Sequence, residues 1–173
     1  MNSTGPERVA VEWEEGARQV NECKYLFAES IRESQELTLE LTLAEAKPQA
    51  EIQVSEDWNP IGELRIGGRS IETDLSCRVF HLIFDRNQMV LYMVLNESYG
   101  VYPADPEKFS GKLLRVFSWS HLLEFTKRTT IASDANPGVL QHYGIACLNH
   151  VIDVICTGPP RIFVDMGGAG SVQ

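Results

Sequence analysis

Between Leu37 and Leu43 four leucines alternate with Thr38, Glu40 and Thr42. A helix would scatter those leucines around its axis, whereas a strand puts all four on one face. The pattern predicts a half-buried strand, and Pro48 marks its end. Ala50, Ile52 and Val54 alternate next and suggest a partner strand. Gly67-Gly68, between residues 64–66 and 69–71, supplies the positive φ of a tight hairpin.

Residues 77–84 and 89–96 are apolar at consecutive positions, the mark of strands covered on both faces. Only Asp85, Arg86, Asn87 and Gln88 separate them, and so short a loop predicts an antiparallel hairpin at the centre of the sheet. Val9, Val11 and Trp13 alternate as a short strand. Residues 17–34 fit two periods. Val20, Cys23, Phe27 and Ile31 share a helical face, while Cys23, Tyr25 and Phe27 alternate; we assign a helix.

Gly100, Pro103, Asp105 and Pro106 mark a loop over 99–110, and 112–117 reads as a strand. Ser118 is placed to cap a helix over 119–129, with Trp119, Leu122, Leu123 and Thr126 on one face. Lys127 and Arg128 suit its C-terminal dipole. A loop at 134–138 leads into 139–157, read as one long strand stopped by Gly158-Pro159-Pro160, and 162–164 is a short last strand. These elements predict an α+β fold: a predominantly antiparallel β-sheet, sandwich-like or strongly curved, with one or two helices packed against it. One domain is expected over 9–165, between a disordered segment 1–8 and a flexible tail 166–173.

Composition narrows the class. With 173 residues, 43 % of them hydrophobic, the chain can bury a core without metal or disulfide staples. The start of the chain has no apolar signal core, so a cytoplasmic location is expected. Cys23, Cys77, Cys147 and Cys156 form no C-x-x-C pair and are expected as free thiols. Through Glu63 there are 14 acidic and 5 basic residues; beyond it there are 10 of each. The excess negative charge lies wholly in the first third. Without clustered Lys and Arg, nucleic acid and anionic membrane are poor partners, whereas a basic protein would meet an acidic surface readily.

The stretch from Gln141 to Cys156 carries most of the reactive chemistry: His142, Cys147, Asn149, His150, Asp153 and Cys156. As one strand it divides them. Cys147, Asn149 and Asp153 take one face, and His142 and His150 the other, about 26 Å apart at roughly 3.3 Å per residue. No metal is held by such a pair. A hairpin turning at Asn149-His150 would set Ala146 against Asp153 and bring His142 to Thr157. A helix would place His150 beside Cys147 and Asp153, but the β-branched residues oppose it. Asp153, between Ile152 and Val154, needs a partner, and Arg78 or Arg115 is the structural choice. His81 reads as a core histidine bonded to backbone.

No cofactor motif is present: no P-loop, no H-E-x-x-H, and no helix after Gly167-Gly168 to make a dinucleotide loop. The first reading is a non-catalytic, acidic protein-binding module of inhibitor or immunity type. A second is a hydrolase-type enzyme with a site around His142, Cys147, His150 and Asp153. A third is a small-ligand-binding domain with a sheet-lined pocket. Tyr99 and Tyr102, in the Pro-rich loop, are the candidate binding aromatics.

Overall fold

The computed structural model describes residues 8–48, 70–100 and 105–165. The elements run β1 (Val9–Val11), α1 (Trp13–Glu22), β2 (Tyr25–Gln35), β3 (Thr38–Pro48), β4 (Ile71–Glu72), β5 (Val79–Phe84) and β6 (Met89–Asn96). After a 3-10 turn (Glu97–Tyr99) come β7 (Lys108–Ser110), β8 (Leu114–Trp119), α2 (His121–Thr129), β9 (Gln141–Ala146), β10 (His150–Cys156) and β11 (Arg161–Asp165). The fold is α+β, and every pairing between these strands is antiparallel.

Two sheets form. The first has the order β1-β11-β5-β3-β2, with β4 added to β3; the second has the order β6-β10-β9-β8-β7. They share one core. Leu39, Leu41 and Leu43 of β3, each no more than 1 % exposed, meet Leu114, Tyr143, Ile145, Ile152 and Val154 of the second sheet. Burying each such leucine contributes about 2 kcal/mol. The alternation thus works as expected from Leu39 onward. Leu37 departs from it: it sits exposed at the turn between β2 and β3, with φ at 56°.

The ambiguous region 17–34 is a helix only in its first part. Trp13, Ala17 and Val20 give α1 an apolar stripe directed at the core, and Gly16 lets α1 approach β11, since a Cβ there would lie 2.8 Å from Ile162 Cδ1. The chain leaves the helix at Cys23 and runs on as β2, so the expected helix beyond Glu22 is replaced by the strand alternative. Trp13, expected at the end of a strand, begins α1.

The central hairpin is also corrected. Residues 85–88 do make a tight turn, with the Gln88 and Met89 N–H groups donating to Asp85 O. The turn carries the chain from one sheet to the other: β5 lies between β11 and β3, while β6 is an edge strand paired with β10. With both edges of β5 filled by long-range partners, β6 has no ladder to join there. Its Tyr92, Met93 and Val94 are consequently exposed.

The single strand over 139–157 is a hairpin, β9 turning into β10 at residues 147–149. Asn149 anchors that turn to β2 across the sandwich: its Oδ1 accepts from Ala28 N and its Nδ2 donates to Ala28 O, both at 3.0 Å. The last strand and α2 fall near their expected places, and the α2 cap is Ser120 in place of Ser118. The expected partner strand over 50–54, the Gly67-Gly68 hairpin, residues 1–7 and the tail 166–173 lie outside the described residues. No helix among the described residues is long and apolar enough to cross a membrane.

Candidate functional site

The inner face of the second sheet makes the core, so its outer face carries the alternate residues of the same strands. Three rows cross it. One holds Leu91, Ile155, His142 and Phe117; the next holds Met93, Asp153, Gly144 and Arg115; the third holds Leu95, Val151, Ala146 and Leu113. α2 covers part of the first row, where Leu123 packs with Ile155 and Leu140. The other two rows stay open and floor a cavity of about 870 Å³. His121, Leu122 and Phe125 of α2 form one wall, and Glu97, Tyr99 and Gly100 stand at another side.

The polar centre of this face is a line of three side chains. The Ser120 hydroxyl lies 2.7 Å from His142 Nδ1, and His142 Nε2 lies 2.9 Å from Asp153 Oδ1. Ser120 Oγ also accepts from Leu123 N at 3.0 Å, which makes it the N-cap of α2. The donors run in one direction. Leu123 N–H donates to Ser120, and with the imidazole proton on Nε2 the Ser120 O–H donates to His142 Nδ1 and His142 Nε2–H to Asp153. A neutral imidazole with its proton on Nε2 satisfies every bond, and aligned bonds of this kind reinforce one another.

Packing fixes the imidazole. Phe117 stacks on His142 at 4.0 Å and 9°, Phe109 leans on Phe117 at 5.1 Å, and the Arg115 guanidinium lies 4.7 Å from the Phe109 ring centre. Gly144 is needed beneath this stack. A Cβ at that position would sit 2.8 Å from Phe117 Cε2 and 3.2 Å from Asp153 Oδ1.

Hairpin register brings His142 and Asp153 together. His142 pairs directly with Ile155, which puts Asp153 on its diagonal and on the same face. The assignment of the two residues to opposite faces is therefore overturned: it holds for one continuous strand and fails once the chain reverses. The hairpin considered from sequence would have set Asp153 opposite Ala146; the observed register moves it two residues, opposite Gly144. Asp153 does have a partner, but it is neither expected arginine. Arg78 pairs with Glu45, Nε to Oε2 at 3.1 Å.

Cys147 and His150 do not join the line. Cys147 is buried in the hairpin turn, its N–H donating to His150 O, and burial pushes its thiol up to about 12. His150 pairs with Asn96 and shares the face of Ile152, away from His142. The register does set Cys147 opposite His150 at the turn, but no hydrogen bond joins the two side chains. Tyr99 is 75 % exposed at the cavity, and Tyr102 lies outside the described residues. Among the described residues no group of three His, Cys, Asp or Glu could hold a metal ion.

The arrangement contains the residue types of a Ser-His-Asp triad but no exposed serine. A nucleophilic serine must reach a substrate, and Ser120 is 0 % exposed, sealed under α2. His142 is 2 % exposed and uses both nitrogens on protein groups. What reaches the cavity is Asp153, whose side chain is 15 % exposed. Sequence reading missed Ser120, Phe117 and Gly144. A serine between a strand and a helix was the available signal for the first, and it was placed two residues early.

Comparison with family models, curated proteins and solved structures gave no match.

Proposed function

We propose that this protein binds a small, largely apolar molecule in the cavity on the outer face of the second sheet. The supporting observation is an 870 Å³ hollow whose floor is mostly apolar, with Asp153 and Arg115 as its charged groups. Ligand sites commonly have this size and character: a mostly hydrophobic lining with few, fixed polar groups. The Ser120–His142–Asp153 line serves to hold that carboxylate still.

The hydrolase reading is weaker, because burial raises the Cys147 thiol and Ser120 is sealed. The acidic protein-binding reading also loses ground. Glu15 and Glu22 contact Arg18, Glu40 contacts Arg32, and Glu45 contacts Arg78, so part of the acidic surface is already balanced within the chain.

The test uses Nile red, a neutral apolar dye whose fluorescence rises out of water. It should bind the native protein saturably. Ala146→Trp places an indole on the cavity floor and should abolish that binding while urea unfolding stays cooperative. Absence of saturable binding, or equal binding by a folded Ala146→Trp variant, would sink the proposal.

A further inference from the structure

We infer that the ligand of this cavity is a cationic amphiphile, an apolar body carrying a protonated amine that meets Asp153. This rests on the cavity being a ligand site, as proposed above. Asp153 Oδ1 is taken by His142 Nε2–H at 2.9 Å, and no protein donor reaches Oδ2 among the described residues. The side chain is 15 % exposed, so the carboxylate is partly desolvated and its second oxygen is left to the cavity. A buried charge in that condition gains most from a charged N–H donor.

His142 cannot take over the recognition, since both of its nitrogens are engaged. It fixes the direction of Asp153 instead. Gly144, directly opposite Asp153, makes room for the Phe117 ring that holds His142 against Oδ1, and Asp153 itself lines the cavity.

Charge supports the same sign. Among the described residues, Glu97 and Glu107 line the cavity with Asp153, against Arg115 as the lining Lys or Arg. Arg115 lies in the row of Asp153, two strands away and so about 10 Å distant between Cα atoms. Its guanidinium rests on Phe109, and its Nε donates to Lys112 O at 3.0 Å. An anionic ligand would suit Arg115 but would meet three carboxylates. Met93, Leu95, Val151 and Phe125 supply the apolar surface for the rest of the molecule.

Three probes of equal length decide the matter: octylamine, 1-octanol and octanoate, each displacing Nile red at pH 7. Octylamine should displace it at a concentration at least about tenfold below that of octanol, the gain expected of a charge-assisted hydrogen bond. Octanoate should be the weakest. In Asp153→Asn, which keeps an acceptor for His142, the amine-to-alcohol ratio should fall to about one. Equal displacement by amine and alcohol in the native protein overturns the cationic class while leaving the cavity as a ligand site. Preference for octanoate overturns it too and moves the polar contact to Arg115. A tenfold amine preference that survives in Asp153→Asn removes Asp153 from the role. Failure of Nile red to bind at all is a failure of the cavity reading itself. Should Asp153→Asn not fold, the native ranking of the three probes still decides the sign.

Discussion

Each sheet carries one His–Asp pair on its outer face, and the two pairs are built alike. In the second sheet His142 bonds Asp153 at 2.9 Å and faces the Ser120 hydroxyl at 2.7 Å. In the first, His81 Nε2 bonds Asp165 Oδ2 at 2.9 Å and its Nδ1 faces Thr42 Oγ1 at 3.3 Å. Both aspartates lie on a cross-strand diagonal from their histidine. The difference lies beside the carboxylate. Gly144 stands opposite Asp153, whereas Val79 stands opposite Asp165. The glycine makes room for the Phe117 ring that stacks on His142, whereas a valine side chain stands opposite Asp165. A hydroxyl–His–Asp line is thus a way for a sheet to carry polar groups on a partly covered face. The two carboxylates are almost equally exposed, 15 % for Asp153 and 12 % for Asp165, and what sets Asp153 apart is its place in the cavity lining. The expectation that His81 bonds to backbone is corrected by the same comparison, since its partners are side chains.

The largest effect should come from breaking either pair. His142→Ala and His81→Ala each strand a mostly buried carboxylate and should each cost about 3 kcal/mol in urea unfolding. Only His142→Ala should also weaken Nile red binding. Equal loss of dye binding in both variants would erase the distinction between the two faces.

Gly144→Ala comes next. Its methyl meets Phe117 and Asp153, so about 2 kcal/mol of stability should be lost with a parallel loss of dye affinity. The reciprocal change, Val79→Gly, should not create dye binding at the first sheet. Binding that appeared there would make the glycine alone sufficient.

The hydroxyls sharpen the comparison further. Ser120→Ala removes a helix cap and a short bond, and about 1 kcal/mol should go. Thr42→Val keeps the shape and removes only the 3.3 Å contact, so its cost should be below about 0.5 kcal/mol. A larger cost for Thr42→Val than for Ser120→Ala would reverse the ranking of the two lines.

The smallest effect concerns the thiols. Burial pushes Cys147 and Cys156 up to about 12 and Cys23 up to about 11. Below about pH 8.5 these groups are protonated in both folded and unfolded chains, and stability does not depend on them. Above it the unfolded chain ionises first, so stability should fall as pH rises toward the folded values. At pH 8 native Cys147 and Cys156 should resist iodoacetamide for as long as the protein stays folded, read by mass spectrometry. Fast labelling of Cys147 would favour the reading in which it is a nucleophile.

Residue pattern alone accounts for the strand read over 37–43, the amphipathic helix after residue 118, the antiparallel α+β class and the need of Asp153 for a partner. These are local matters, set by side-chain period, turn residues and the cost of burying a charge. Tertiary structure decided the rest. The turn at 85–88 is legible in sequence, but the partners of β5 and β6 are chosen by distant strands. The hairpin at 147–149 has no glycine to announce it. Its register depends on Asn149 reaching Ala28 and on the core that Tyr143, Ile145, Ile152 and Val154 complete. A different register, two residues along, would have kept His142 and Asp153 on one face and left them out of reach. The position of one carboxylate beside one glycine comes from that register, which only the packing of the two sheets could select.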